Sequence, residues 1–242
     1  MNIVLTGASG GIGYYTALSF LKEESNHVFV ISRDEGKLAL LRKESEESHY
    51  KGKLNVFVGD LKVDKDLINF KILIEKEVRS VDILINNAGE LVHKPFDAIE
   101  QSEWKEIYGT NVFGVVAMIR ALLPLLDAAK TKSNGIRAHI VNIGSIGGIG
   151  GTIKFAGLSA YSSSKGAISI LTECLAEEFK PRKIAVNCLA LGSVNTDMFS
   201  KAFPGMQAAS EVRQIANYIA EFAENGHIFY NGKNLQVSHS TP

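Results

Sequence analysis

Short runs of apolar residues alternate with longer stretches of helical periodicity from the first residue onward. Ile3-Val4-Leu5 reads as a buried strand, followed by a helix over 13–22. A second strand at 28–31 leads into a charged helix that begins at Glu35. A third at 54–58 leads into a helix over 64–79, where Leu67, Phe70, Ile74 and Val78 fall at helical spacing. Asp82-Ile83-Leu84-Ile85 predicts a fourth strand, and 101–129 predicts one long helix. A strand over 138–143, a helix over 160–179 and a sixth strand over 183–188 continue the alternation. The tail predicts a helix near 211–223 and a last strand around 228–230. The strands are apolar throughout, which marks a parallel sheet covered by helices on both faces. The expected fold is α/β, one doubly wound parallel sheet of about seven strands, with residues 1–242 forming a single domain. Only 192–210, with Pro204 and Gly205, breaks the rhythm, so 193–210 is expected to be a flexible flap over a site.

The first strand runs directly into Thr6-Gly7-Ala8-Ser9-Gly10-Gly11-Ile12-Gly13 and then into a helix. Glycines at a strand-to-helix turn allow a tight bend and a close approach of backbone amides. The helix N-terminus adds free N–H groups and a favourable dipole for an anion. After strand one of an alternating chain, this turn predicts a Rossmann-like dinucleotide site with Gly7, Ser9, Gly11, Ile12 and Gly13 as contacts. A tight turn with nothing bound is the plain alternative. In such a fold the end of the second strand meets the adenosine ribose, about 20 residues past the glycines. There the sequence reads Ile31-Ser32-Arg33-Asp34. Ser32 stands where an acid would bind the ribose hydroxyls, and Arg33 can clamp a 2′-phosphate with paired charge-assisted bonds. The expected cofactor is NADP (NADPH) in preference to NAD. The alternative is a solvated Arg33 with Asp34 as the ribose ligand.

Composition narrows the partners. With 45% apolar and 21% charged residues the chain can build a large core. Lys plus Arg balance Asp plus Glu at 26 each, so no basic face for nucleic acid is expected. Cys174 and Cys188 have no CxxC spacing, and the scattered histidines form no HExxH pattern, so neither a disulfide framework nor a metal site is expected. No basic segment precedes an apolar stretch at the N-terminus, and no uninterrupted apolar run approaches the about 20 residues of a membrane span. The expectation is a soluble, cytoplasmic protein that binds a small molecule and no membrane.

Tyr161-Ser162-Ser163-Ser164-Lys165 puts Tyr161 and Lys165 on one face of a helix. A nearby ammonium favours phenolate and is expected to lower the tyrosine pKa, so that Tyr161 can exchange a proton with a carbonyl or alcohol oxygen. A YxxxK alone is also compatible with a surface pair. Ser145 gives it weight by ending the fifth strand, since carboxyl ends of strands are where an open α/β sheet binds ligands.

Taken together these residues resemble the short-chain dehydrogenase/reductase family, in motif order and over nearly the whole chain. The TGxxxGxG turn is residues 6–13, Asp60-Leu61 follows the third strand, and Asn86-Asn87-Ala88-Gly89 follows the fourth. Asn111 lies in the long helix, Ser145 precedes YxxxK, and Val194-Asn195-Thr196 follows the sixth strand. The resemblance implies Tyr161 as acid/base, Ser145 as the holder of the substrate oxygen, and Lys165 as binder of the nicotinamide ribose. It implies Asn111 in a proton relay through a water, with a helix cap or kink as its structural reading. Asp60 and Leu61 would contact adenine, and Asn87, Ala88 and Gly89 would line the adenosine side. Val194 and Thr196 would hold the carboxamide and neighbouring phosphates. The family also commonly pairs through its two long helices, which implies a homodimer or homotetramer.

Two positions depart from the family pattern. Leu191-Gly192 stands where Pro-Gly is usual, which predicts a less rigid approach to the flap. Ser145 and Tyr161 are 16 apart, a few more than usual, with the extra residues in Gly147-Gly148-Ile149-Gly150-Gly151 at the expected rim of the substrate pocket. Residues 146–158, 91–96 and the flap would wall that pocket, with Ile146, Ile149, Phe155, Met198, Phe199, Phe203 and Met206 favouring a hydrophobic carbonyl or alcohol substrate over a sugar. The function expected is an NADP-dependent oxidoreductase of the carbonyl reductase or alcohol dehydrogenase type. A non-catalytic NADP-binding regulatory protein is the alternative, and it has no need of a tuned phenol. The epimerases and dehydratases that share YxxxK need a separate substrate domain.

Overall fold

A computed structural model describes residues 1–238. The first half of the chain runs β1 (Asn2–Thr6), α1 (Gly11–Leu21), β2 (His27–Ser32), α2 (Glu35–Glu47), β3 (Lys53–Val58), α3 (Asp64–Glu77) and β4 (Ile83–Asn86). It continues through α4 (Gln101–Tyr108), α5 (Gly114–Asp127), β5 (Ala138–Ser145), α6 (Ser159–Glu178) and β6 (Ile184–Leu191). The last elements are α7 (Asp197–Ala202), α8 (Val212–Asn225) and β7 (Asn234–Val237). The strands lie in the order β3-β2-β1-β4-β5-β6-β7, and every pair is parallel. Order reverses between β1 and β4, and in such sheets the ligand crevice opens outside the carboxyl ends at that point.

The period of two along each strand divides the core into two layers. Val4, Phe29, Ile31, Leu84, Ile140 and Val186 point to the face covered by α3, α5 and α6. Ile3, Leu5, Val28, Val30, Ile83, Ile85 and Val141 point to the face covered by α1, α2 and α8. Every one of these strand side chains is buried, each worth about 1.5–3 kcal/mol of hydrophobic stabilisation, so register slips are strongly disfavoured.

Three elements differ from the expectation. The last strand is Asn234–Val237, and the run expected to form it, 228–230, follows a 3₁₀ turn at Gly226–Ile228 and leaves Phe229 81% exposed. Three adjacent apolar residues imitated a buried strand there, whereas the real edge strand alternates and has a weaker apolar signal. The helix expected over 101–129 is interrupted by a π-turn at Gly109–Phe113. Gly114 permits the close approach, since a Cβ there would lie 3.0 Å from Leu61 Cβ. β6 runs on to Leu191, whose strand pairs with Ser145 of β5 and Val237 of β7. The Gly192 N–H then donates to the Val237 carbonyl at 3.0 Å, so the approach to the flap is pinned where a looser one was expected.

The stretch Gln101–Asp127 is long and apolar enough to cross a membrane by composition, but half of its apolar window is buried inside the fold. Met118, Leu122 and Leu126 sit in the core beside α3 and β4, the packing of a core helix.

Candidate active site

The glycine turn owes its shape to the backbone. Gly7 and Gly11 adopt φ of +73° and +55°, a region that favours glycine. A Cβ on Gly13 would stand 2.3 Å from the Gly7 carbonyl oxygen and 2.4 Å from Asn87 Nδ2. Asn87 Nδ2 donates to the carbonyls of Thr6 and Gly7, both at 3.0 Å, while Thr6 Oγ1 accepts from the N–H groups of Asn87 (3.1 Å) and Ala88 (3.0 Å). The loop after β4 is thereby stitched to the loop after β1. Gly7, Ser9, Gly11 and Ile12 face an elongated cleft of about 730 Å³, and Gly13 lies behind them as a packing position. A Cβ on Gly10 would meet nothing within 4 Å. An open amide-lined turn at a helix N-terminus fits the phosphates of a dinucleotide.

Farther along, Arg33, Asp60, Leu61, Ala88 and Gly89 line the same cleft. Arg33 Nη1 lies 2.7 Å from Glu90 Oε1 and 4.0 Å from Asp60 Oδ2. Asp34, the alternative ribose ligand, is not among the residues that line the cleft. Its carboxylate caps α2, accepting from the Lys37 N–H at 3.0 Å.

The cleft continues to Ser145, Tyr161 and Lys165, which converge on one wall. Ser145 ends β5, and its Oγ accepts from the Gly147 N–H at 3.2 Å. Lys165 is buried, donates from Nζ to the Ile143 carbonyl at 2.7 Å, and stands 5.9 Å from the Tyr161 ring centre. Burial pulls the Lys165 ammonium down to about 8, with the Cys188 sulfur opposing. Burial also pushes the Tyr161 phenol above its ordinary value of 10, with the Ser145 hydroxyl opposing. The shift runs opposite to the expected lowering: desolvation sets its direction, and the Lys165 ammonium is engaged with the Ile143 carbonyl.

Asn111 sits in the π-turn, fully buried and away from the cleft surface. Its Oδ1 accepts from the Glu90 N–H at 2.7 Å, and its Nδ2 donates to the Glu90 carbonyl and to Ser164 Oγ, each at 2.9 Å. A Cβ on Gly89 would lie 3.5 Å from both Asn111 Oδ1 and Lys165 Nζ, so Gly89 is the gap across which these two face each other.

At the other end, Leu91, Ile153, Phe155, Met198, Phe199 and Phe203 enclose an apolar chamber. Phe203 contacts Phe155 and Phe199 at ring-centre distances of 5.7 and 5.3 Å. Ile149 and Phe96, expected in the wall, are not there. The Ile149 carbonyl holds Thr152 Oγ1 and Lys154 Nζ, Ile153 enters the cleft, and Phe96 is 72% exposed. The flap is tied at its base. Val194 bridges to Ser210, the Asn195 N–H donates to the Ser210 carbonyl, and Ser193 Oγ accepts from the Ala209 N–H, both at 2.9 Å. Val194 and Thr196 both border the cleft, and Thr196 Oγ1 caps α7. His93 bridges the two walls, with its ring nitrogens 2.6 Å from the Ala202 carbonyl and 3.1 Å from the Ala156 carbonyl.

A family model described as short chain dehydrogenase matches residues 1–207. The chain belongs to the short-chain dehydrogenase family. It is 29% identical over 97% of its length to a glucose 1-dehydrogenase of Gluconobacter oxydans (strain 621H), covering 89% of that protein. Among solved structures it resembles the Pseudomonas aeruginosa RhlG/NADP active-site complex, with TM-score 0.86 and 25% identity, over 99% of this chain and 96% of that one. A 3-ketoacyl-(acyl-carrier-protein) reductase from Brucella melitensis complexed with NADH gives TM-score 0.82 and 26% identity, over 98% and 96%. This short-chain dehydrogenase is thus an oxidoreductase of a family that binds nucleotide cofactors and small-molecule substrates.

Three features in or beside the cleft escape motif reading in this short-chain dehydrogenase. Lys37 lines the cleft beside Arg33, yet in the sequence it is one charge among many on a polar helix. Ile153 lies within the expected wall 146–158, but on an irregular stretch after the glycines whose path no periodicity reveals. Glu90 follows the Asn-Asn-Ala-Gly motif directly, and only the fold brings it to Arg33.

Proposed function

We propose that this chain is an NADP-dependent reductase or dehydrogenase of carbonyl and alcohol compounds, with Tyr161 as its acid/base. The reading rests on one observation above others: Ser145, Tyr161 and Lys165 share a wall of the cleft that begins at the open glycine turn. A bound dinucleotide supplies or accepts the hydride. Tyr161 donates its phenolic proton to the substrate oxygen in reduction and takes it back in oxidation. Burial keeps that phenol protonated, the form reduction uses. Ser145 orients the substrate oxygen, Lys165 binds the nicotinamide ribose, and Asn111 fixes the Glu90 backbone beside Lys165. Val194 and Thr196 hold the carboxamide end. Asp60, Leu61, Asn87, Ala88 and Gly89 hold the adenosine end, where Arg33 and Lys37 receive the 2′-phosphate. The aromatic chamber around Phe203 favours a hydrophobic substrate.

Exposed Phe113 and Ile170, at 65% and 61% on the long-helix face, favour self-association into a dimer or tetramer. The two unpaired cysteines suit the reducing cytoplasm. The test is Tyr161→Phe assayed with a panel of hydrophobic carbonyls and NADPH. Turnover should fall about 100- to 10,000-fold while NADPH binding, followed by its fluorescence, stays nearly unchanged. A variant that keeps most of its turnover removes Tyr161 from the acid role.

A further inference from the structure

We propose that Glu90 sets how strongly this chain prefers a 2′-phosphorylated dinucleotide, by competing with that phosphate for Arg33. The inference rests on the assignment of the phosphate to Arg33 made above. Strand order places the loops after β2 and β4 on either side of β1 and its glycine turn. Arg33 comes from the first of these loops and Glu90 from the second, and they meet at 2.7 Å. Their ion pair therefore lies beside that end of the cleft, which Arg33 and the neighbours of Glu90, Gly89 and Leu91, line. Asp60, from the loop after β3, adds a second carboxylate 4.0 Å from the same guanidinium nitrogen.

The two acids are not equivalent. Asp60 also has Lys62 at 3.9 Å, and Lys62 is engaged with Glu106 as well. Glu90 has one ion-pair partner among the described residues, Arg33. The backbone of Glu90 is also fixed. Its N–H and carbonyl are both held by buried Asn111, at 2.7 and 2.9 Å. Its side chain is only 23% exposed, against 56% for Arg33. A guanidinium that turns to a phosphate therefore leaves a largely buried carboxylate without its ion-pair partner, close to an arriving dianion and with only the longer-range attraction of Lys62 to offset it. Both effects oppose the phosphorylated cofactor, and a cofactor with free ribose hydroxyls meets neither the new partner nor the repulsion.

Glu90→Gln keeps the side chain's size and its acceptor for Arg33 while removing the charge. Dissociation constants for NADPH and NADH are to be measured by fluorescence on the full chain, for wild type, Glu90→Gln, Arg33→Ala and the double variant, at low ionic strength. Glu90→Gln should tighten NADPH binding about 3- to 10-fold and NADH binding less, and added salt should shrink the gain. In the Arg33→Ala background the gain should drop by at least half, because the contested cation is gone. An unchanged or lower NADPH-to-NADH preference in Glu90→Gln overturns the proposal, as does an equal gain in both backgrounds. If Arg33→Ala alone leaves NADPH binding unaltered, the phosphate assignment itself has failed. If Arg33→Ala weakens NADPH but Glu90→Gln does not strengthen it, the assignment stands and the role of Glu90 is lost.

Discussion

At the amino edge of the sheet His139, Asn2 and the chain's first ammonium are paired within the fold, whereas at the carboxyl edge polar side chains line a cleft or form pairs that a ligand can rearrange. His139, near the start of β5, is wholly buried. One ring nitrogen lies 2.9 Å from the Ala223 carbonyl and the other 3.0 Å from the Asn187 amide nitrogen, which together select a single neutral tautomer. The chain's first ammonium donates to the Ser25 carbonyl and to Asn26, and Asp82 accepts from the Asn2 N–H. At the opposite edge lie the open glycine turn, the Ser145–Tyr161–Lys165 wall and the exposed Arg33. Burial alone does not separate these groups, since Lys165 is nearly as buried as His139. What separates them is that both ring nitrogens of His139 are partnered inside the fold, whereas Ser145, Tyr161 and Arg33 line a cleft. The amino edge is built for stability and the carboxyl edge for ligands.

Acid should break the first edge most severely. Burial pulls His139 down to about 3 and His227 to about 4, from an ordinary 6.5. Both are held neutral in the fold, so their contribution is complete above about pH 6.5 and is lost as pH falls toward the folded values. His139 alone adds a slope of about 1.4 kcal/mol per pH unit across that window, which is several kcal/mol in all. Urea unfolding at pH 7, 5.5 and 4 should show this loss, and His139→Gln, less stable at pH 7, should show a shallower one. Equal slopes for both proteins would remove His139 from the account.

The carboxyl edge should respond chiefly in binding. Arg33→Ala removes a charge-assisted bond of about 1.5–3 kcal/mol, so NADPH binding should weaken about 10- to 150-fold with NADH binding nearly unchanged. Equal weakening of both cofactors would leave the 2′-phosphate without Arg33. The smallest effect is one of motion. Residues 198–207 of the flap should exchange amide hydrogens faster without ligands than with cofactor and substrate together, while the tied base at Asn195 changes little. Equal, strong protection in both states would make the flap a fixed wall.

The amino edge was hardly legible beforehand, and the carboxyl edge largely was. Glycines, Ser145, Tyr161 and Lys165 recur at spacings set by local geometry, a strand end or one turn of helix, so a linear reading finds them. His139 looked ordinary because its partners Asn187 and Ala223 are 48 and 84 residues away. Glu90 was missed for the same reason, and Lys37 because it is one charge among many on a polar helix. The strands were legible where burial on both faces left an unbroken apolar run. Asn234–Val237 pairs only with β6 and keeps Gln236 exposed, so the denser run at 228–230 displaced it. The direction of the Tyr161 shift followed from the depth of the site, which spacing does not convey.

The π-turn at Gly109–Phe113 sets the rotational phase of everything after it. A regular helix turns about 100° per residue, and a π-turn takes up one extra residue without advancing the helix by a full step. α4 is keyed to α6 and α5 to α3 and β4, so the two halves of the helix answer to different neighbours. Winding 109–113 as regular α-helix with every residue kept would make one uninterrupted cylinder. It would also swing Met118, Leu122 and Leu126 about a quarter turn out of the core, and draw Asn111 off the Glu90 backbone. The wide turn acts as a clutch, letting two helical surfaces with incompatible angular settings share one axis.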